Sequence, residues 1–313
     1  MPRALVLFNP AASRAPPERS LASSLGPLRD RGWSVALRRT TGPGAATALA
    51  AAAVAAGYEA IIAAGGDGTV NEVAQALAHR EAILGVLPLG MVNIWAQEIG
   101  LPQRLGAAVE GLATGVVRRV DLGLADWGSH RRCFLLMAGI GFDAEVVRRT
   151  TPRSKRVLGP LAYVWNGVHT ALAGPGADLV IELPAETLCA PAILALAGNS
   201  RLYAGRVRVT PAARADDGLL DLCLFSGRGF WRAARYAVEL LSGRHLRDPG
   251  VICRRAARID LRATPALPVQ LDGEPAGMTP VTLRVAPLAL RAIVPAGAAP
   301  GVLSPDGPAE RLG

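Results

Sequence analysis

Lysine is almost missing from this chain: of 34 lysines and arginines in 313 residues, Lys155 is the only lysine. That excludes a GxxxxGK(S/T) phosphate loop, whose lysine reaches the β- and γ-phosphates. Aromatic residues make up only 4%, and no arginine run is interleaved with stacking side chains, which argues against a nucleic-acid groove. Cysteine is confined to Cys133, Cys189, Cys223 and Cys253, widely spaced and without a CxxC pair. This argues against a zinc ribbon or a disulfide framework and makes a reducing cytoplasm the expected setting. The chain also lacks a long hydrophobic run. Residues 45–64 are rich in alanine but broken by Gly57, Tyr58 and Glu59, and alanine is too weakly apolar to carry a membrane span. The apolar run before Asn9-Pro10 is too short for a signal-peptide core.

What is present is half hydrophobic, enough for a sizeable core in one large or two ordinary domains. The net charge of +9 is almost wholly arginine. It points to an anionic partner such as a membrane surface or a phosphorylated ligand, or reflects coding bias alone. Short apolar runs in ALVLFNP, WSVALRRT, EAIIAAG and AILGVLP alternate with helical patterns, the rhythm of a doubly wound parallel sheet. After Asp121 the pattern becomes strand-rich, with turns of Gly, Pro and Asp and two helical patches, near Leu158–Leu172 and Phe230–Leu241. The expected fold is an N-terminal doubly wound α/β domain (1–120) followed by a larger β-sandwich-like domain (121–295). Residues 296–313, rich in Pro, Gly and Ala, are expected to be disordered.

The segment IIAAGGDGTVNEV, Ile61–Val73, ends a strand and opens a helix. In a doubly wound sheet ligands gather at that end of the strands, and a helix start offers unpaired N–H groups to an anion. Gly65, Gly66 and Gly68 remove Cβ atoms that would hold an anion off. Asp67 either organises a hydrated Mg²⁺ against phosphates or caps a helix beginning at Val70. The run GGDG does not fit the GxGxxG dinucleotide fingerprint.

GGDGTVNEV resembles the nucleotide-binding signature of the diacylglycerol kinase-like catalytic domain, shared by bacterial diacylglycerol and other lipid kinases and by sphingosine and ceramide kinases. The resemblance extends in order through LFNPAAS, TTGPGAA, PLGMVNIWAQEIGLP, AGIGFDAEVV, DDGLLDLCLF and QLDGEP, from about Leu5 to Pro295. It implies a two-domain kinase with ATP and Mg²⁺ in an interdomain cleft and a lipid hydroxyl as acceptor. By that resemblance the nucleotide is lined by Asn9, Pro10, Ala11, Ala12, Ser13, Thr40, Gly65, Gly66, Asp67, Gly68, Thr69, Val70, Asn71 and Met91. Three positions depart from the family: Met91 replaces a threonine, Ala12-Ser13 a Ser-Gly pair, and Ile94 an aspartate found in many members. The missing hydroxyl at 91 removes one neutral hydrogen bond, worth on the order of 1 kcal/mol, which weakens rather than abolishes nucleotide binding.

The resemblance makes Glu274 first and Asp272 second the general base, with Gly273 between them as a bend that turns both carboxylates toward the cleft, and Asp67 a further catalytic residue. Read alone, Asp-Gly here is also a hairpin turn. RADDGLLD resembles a metal loop in which the Asp217 carboxylate and the carbonyls of Arg214 and Leu219 hold a structural Mg²⁺; Asp216 and Asp221 cap or pair locally, and a solvated turn is the alternative. The helix around Phe230–Leu241, carrying arginines and large apolar residues, either rests on anionic lipid or packs on its domain. The basic loop Arg148–Arg156 is a second lipid candidate. The histidines His79, His130, His169 and His245 show no ligand spacing. The expected activity is transfer of the ATP γ-phosphate to diacylglycerol, by a cytoplasmic protein peripheral to the membrane, with no nucleic-acid partner. A non-catalytic lipid-binding protein of the same fold, and an NAD kinase, are the rival readings.

Overall fold

Six consecutive residues, Ala60–Gly65, are buried without a break, as a strand covered on both faces requires. A computed structural model describes residues 1–150, 161–174, 176–203, 205, 207–296, 301–305 and 307–311. The chain divides into two compact units, the first made of Met1–Leu122, Arg214–Gly218 and Ala286–Gly313, the second of Gly123–Ala213 and Leu219–Val285.

In the first unit the chain runs β1 (Arg3–Phe8), α1 (Glu18–Ser24), α2 (Gly26–Asp30), β2 (Ser34–Arg39), α3 (Ala45–Ala55), β3 (Ala60–Gly65), α4 (Asp67–Leu77), β4 (Ile83–Pro88), α5 (Ile94–Glu98), α6 (Leu105–Ala113) and the first part of β5 (Val116–Asp126). Strand β1 lies between β2 and β3, and β3 pairs β4, all parallel. In α3, Ala46, Ala50 and Ala53 form the buried face, four and three residues apart as one side of a helix demands. Helix α4 starts at Asp67, three residues before the expected Val70.

The second unit holds the end of β5, then β6 (Arg131–Phe134), β7 (Met137–Gly141), α7 (Phe142–Arg149), α8 (Leu161–Leu172), β8 (Ala177–Glu182), β9 (Thr187–Gly198), β10 (Leu202–Tyr203), β11 (Val207–Arg208), β12 (Leu220–Ser226), α9 (Phe230–Leu241), β13 (Val251–Ala256), β14 (Arg258–Thr264), β15 (Pro268–Leu271), β16 (Glu274–Met278) and the start of β17 (Val281–Val294). Its antiparallel order is β16-β15-β7-β9-β8-β14-β17, around a core that includes Phe134, Ile140, Leu179, Leu222, Ile259 and Leu271. This is the β-sandwich-like domain that the turn spacing predicts. Helix α7 lies outside the two expected helical patches; Ala144, Val146 and Val147 are buried beside Asp143 on one helical face. Among its described residues the stretch RVRVTPAA is strand only at Val207–Arg208. Cys223 and Cys253, distant in sequence, sit opposite each other on β12 and β13 with Sγ atoms 2.7 Å apart.

The chain then returns to the first unit, where the end of β17 pairs β4. The C-terminal stretch is not disordered where it is described. Val302 and Leu303 are buried, and β18 (Ala309–Arg311) pairs β5 antiparallel. A composition dominated by Pro, Gly and Ala hides this short apolar pair, and burial of such a pair outweighs a weak local propensity. Lys155 and Arg153, Arg156 of the basic loop lie outside the described residues, as do 158–160 of the expected helical patch. Among the described residues no helix is long and apolar enough to cross a membrane.

Candidate active site

The glycine turn at the end of β3 meets a second turn, after β4, back to back. A Cβ on Gly90 would stand 2.5 Å from the Gly66 Cα, and one on Gly65 would stand 2.4 Å from the Thr69 Oγ1. These glycines are therefore required by packing within the protein, a reason that anion binding alone did not reveal. Gly66 is the extended N-cap of α4, so the amides that follow it belong to the first turn, where no preceding carbonyl is available to them. They carry the partial positive charge of the helix start.

Asp67 joins the two turns. Its Oδ2 accepts the Asn93 amide at 3.0 Å and its Oδ1 the Ile94 amide at 2.6 Å. It thus caps α5 across space, in addition to opening α4. Burial pushes its carboxyl up, and the backbone donors at Ile94 and Asn93 work in the opposite direction. Asn93 stands in the left-handed region, φ 57°, which asparagine tolerates better than most residues. Its side chain closes the turn on Gly90, accepting from the Gly90 amide at 2.8 Å and donating to the Gly90 carbonyl at 2.9 Å.

The Asn9-Pro10 turn joins the same end of the sheet. The Asn9 amide donates to the Ala64 carbonyl at 2.9 Å, its Nδ2 donates to Thr69 Oγ1 at 3.1 Å, and its Oδ1 accepts from the Ala11 amide at 2.9 Å. Thr69 accepts in that bond, so its own hydroxyl proton is not used there. Arg14 ties the turn down from beyond Ser13: its amide donates to the Leu89 carbonyl and its Nη2 to the Met91 carbonyl at 2.9 Å. Met91 thus contributes its carbonyl to the turn, while the residue as a whole is 52% exposed. Thr40 follows β2, with its amide on the Phe8 carbonyl. Thr69, Val70 and Asn71 are all buried on α4, and Asn71 Oδ1 accepts from Gln75.

Glu72 was missed. Its carboxylate accepts the Gly44 and Ala46 amides, both at 2.9 Å, and its carbonyl accepts the Thr47 hydroxyl. The last residues of GGDGTVNEV therefore hold the threonine-led loop at the start of α3. A glutamate a helical turn behind a glycine loop was the available signal.

In the second unit the two carboxylates of QLDGEP part ways, which corrects the expectation that both turn toward one cleft. Asp272, in the left-handed region at φ 50°, accepts three backbone amides: Leu135 at 2.8 Å on Oδ2, and Leu136 at 2.9 Å and Met137 at 2.8 Å on Oδ1. It anchors the start of β7. Glu274 is 45% exposed at its side chain and bonds Arg132 through Oε2 at 2.9 Å; no described residue bonds its Oε1. Of the two, Glu274 has the lone pairs to take a proton.

Behind the hairpin lies a buried carboxylate that the sequence did not single out. Asp143, on the first turn of α7, accepts Gln270 Nε2 at 2.7 Å and the Tyr203 hydroxyl, and Gln270 Oε1 in turn accepts the Gly273 amide at 2.7 Å. Burial raises the Asp143 carboxyl above its ordinary 3.8, against the opposing effect of the two donors. A carboxyl raised in the folded state binds more protons there than when unfolded, so its contribution to stability falls as pH climbs above 3.8. Asp143→Asn removes that dependence. Urea unfolding between pH 4 and 7 should show the variant gaining on the native protein as pH rises, whatever their offset at pH 4.

The loop Arg214–Gly218 belongs to the first unit, and Leu219 is the first residue after it. Asp216 is engaged by Arg118 at 3.2 Å and by the Ser304 amide and hydroxyl. Asp121, fully buried, accepts the Gly218 amide and the Leu288 amide, each at 2.7 Å. Burial raises its carboxyl first, and the charges of Asp217 and Asp216 raise it further. Among the described residues no group of three or more acidic, histidine or cysteine side chains is placed to hold a metal ion, so any ion here would rest on one carboxylate and backbone carbonyls. Asp217 and the Arg214 and Leu219 carbonyls are oxygen donors of the kind Mg²⁺ prefers. Asp221 pairs with Arg255 at 3.2 Å.

Residues 3–125 match the diacylglycerol kinase catalytic domain, and residues 137–294 match the YegS C-terminal NAD kinase beta sandwich-like domain. A diacylglycerol kinase of Bacillus subtilis is 30% identical over 283 residues, covering 90% of this chain and 92% of that protein. A Pseudomonas putida protein named "Probable lipid kinase YegS-like" is 34% identical over 278 residues, 88% of this chain and 90% of its own. The crystal structure of a diacylglycerol kinase from Bacillus anthracis, 22% identical, shares the fold with a TM-score of 0.77 over 94% of this chain and 97% of that one. The chain belongs to the diacylglycerol kinase-like family of lipid kinases.

Proposed function

We propose that the protein transfers the γ-phosphate of ATP to the free hydroxyl of diacylglycerol, giving phosphatidate and ADP. The observation that carries this is the pairing of the two glycine turns through Asp67, which presents the first-turn amides of α4 and the Thr69 hydroxyl as phosphate donors without a lysine. Phosphoryl transfer asks mainly for positioning and charge stabilisation, which backbone dipoles supply. Bound Mg²⁺ would neutralise phosphate charge during transfer; Asp217 with the Arg214 and Leu219 carbonyls would hold a supporting ion. Diacylglycerol is favoured as acceptor because relatives covering nine-tenths of the chain carry that name. The exposed Met91 side chain leaves its turn closed by Asn93 and Arg14, so loss of a hydroxyl there does not favour the non-catalytic rival.

Glu274 takes the proton from the acceptor hydroxyl on its Oε1, the hydroxyl oxygen of the lipid bonds to the γ-phosphorus, and the bond from that phosphorus to the bridging oxygen of ADP breaks. Glu274→Gln keeps the shape and a partner for Arg132, and an exposed ion pair is worth about 0–1 kcal/mol, so folding should be unchanged. Transfer of labelled γ-phosphate to dioleoylglycerol should fall by about 100-fold or more, the usual size of a general-base effect. A wild-type rate would remove Glu274 from the mechanism. Label appearing in NAD instead of lipid would overturn the acceptor class.

A further inference from the structure

Helix α9 is anchored on one side and strongly apolar on the other. Ala233 and Tyr236 are buried; the Tyr236 hydroxyl donates to the Ser226 carbonyl at 2.6 Å, and its ring meets Phe225 edge-on at 5.2 Å. Opposite them, Trp231, Val238 and Leu241 are 83%, 66% and 79% exposed. Seven and three residues apart, they form one stripe along the helix. A surface helix ordinarily turns polar residues to water, so this arrangement is inverted. Leu246 is exposed just beyond the helix, and α8 packs alongside and ends on exposed Leu172.

Charge at the end of the stripe distinguishes the possible occupants. Arg228 is paired with Asp178, and Arg235 with Glu239 and Asp248. Arg244 and Arg247 are exposed, and no carboxylate partner meets either among the described residues. We propose that this face of α9, with Arg244 and Arg247, docks on an anionic lipid bilayer: the apolar stripe enters the headgroup boundary, with Trp231 at the level where tryptophan favours the interface, and the two guanidiniums meet lipid phosphates. A second copy of this face would bring the same two arginines, while the carboxylates beside the stripe, Asp178, Glu239 and Asp248, are already paired with arginines. The inference deepens the proposed function, since a diacylglycerol acceptor resides in a bilayer, yet its test needs no turnover.

The test is sedimentation of the full chain with vesicles of phosphatidylcholine and phosphatidylglycerol in equal parts, beside vesicles of phosphatidylcholine alone, without ATP. The protein should partition onto the mixed vesicles and far less onto the neutral ones. Trp231→Ser with Leu241→Ser, and Arg244→Gln with Arg247→Gln, should each weaken partitioning by about tenfold or more. All four residues are exposed, so thermal unfolding should be unchanged, as should transfer to a short-chain diacylglycerol in solution. Equal partitioning of wild type and variants, no partitioning of the wild type, equal binding to neutral vesicles, or a dimer that the Trp231/Leu241 variant abolishes would each overturn the proposal. Stripe-dependent partitioning in a protein without kinase activity would sink the proposed reaction and leave the docking surface standing.

Discussion

Replacing Asp67 by alanine should cost about 100-fold or more in transfer of phosphate from ATP to diacylglycerol and about 2–4 kcal/mol in stability. The stability figure follows from two charge-assisted bonds, to the Asn93 and Ile94 amides, at roughly 1.5–3 kcal/mol each, less the relief of no longer burying a carboxylate. The activity figure follows from geometry. Without that carboxylate the two turns keep only the Leu89 amide on the Gly65 carbonyl and the Gly66–Gly90 contact, the Asn93 and Ile94 amides come loose, and a misplacement of about 1 Å at a reacting centre costs on the order of 100-fold. Asp67→Asn keeps one acceptor and should fall between. Measuring urea unfolding and labelled-phosphate transfer on the same preparations separates the two effects. A folded alanine variant with full activity would mean that the turns hold themselves and that Asp67 has no part in the chemistry.

Asp272→Ala should be the most destabilising single change in the second unit, by about 3–6 kcal/mol. Three backbone amides, of Leu135, Leu136 and Met137, converge on this one carboxylate, and each donor stranded in a part-buried site costs about 1–3 kcal/mol. The turn residue itself also stands at φ 50°, where a non-glycine side chain other than Asn or Asp is disfavoured. Asp272→Asn should recover part of the loss, because one oxygen still accepts. The contrast with Glu274→Gln is the informative result: two neighbours in one hairpin, one failing by unfolding and the other by lost turnover. Chemical denaturation with far-ultraviolet dichroism checks it. If Asp272→Ala melts like the native protein but is inactive, the carboxylate acts on substrate and the division of labour between the two residues is wrong.

Those two residues also show what the sequence could and could not disclose. The parallel strands of the first unit were legible because a strand buried on both faces is a continuous apolar run, as in Ala60–Gly65. The glycine turn was legible as a strand-to-helix turn at the carboxyl end of β3, but the reason for its glycines was not: Gly66 and Gly90 are 24 positions apart, and only the fold sets one Cα against the other. For the same reason Asp272 and Glu274 looked alike in QLDGEP. Their difference lies in amides some 135 residues upstream and in Arg132, which no local pattern contains. Glu72 and Asp143 were missed because each acts on a partner distant in sequence. The expected disorder after Ala296 failed on two side chains, Val302 and Leu303, too few to alter the composition of the tail yet buried in the structure.

The most direct test of the central claim is a crystal structure of the chain with Mg²⁺ and a non-hydrolysable ATP analogue. The account predicts phosphate oxygens about 2.7–3.2 Å from first-turn amides of α4 and from the Thr69 hydroxyl. Phosphates bound away from the carboxyl end of β3, or held by arginine side chains with those amides unused, would contradict it.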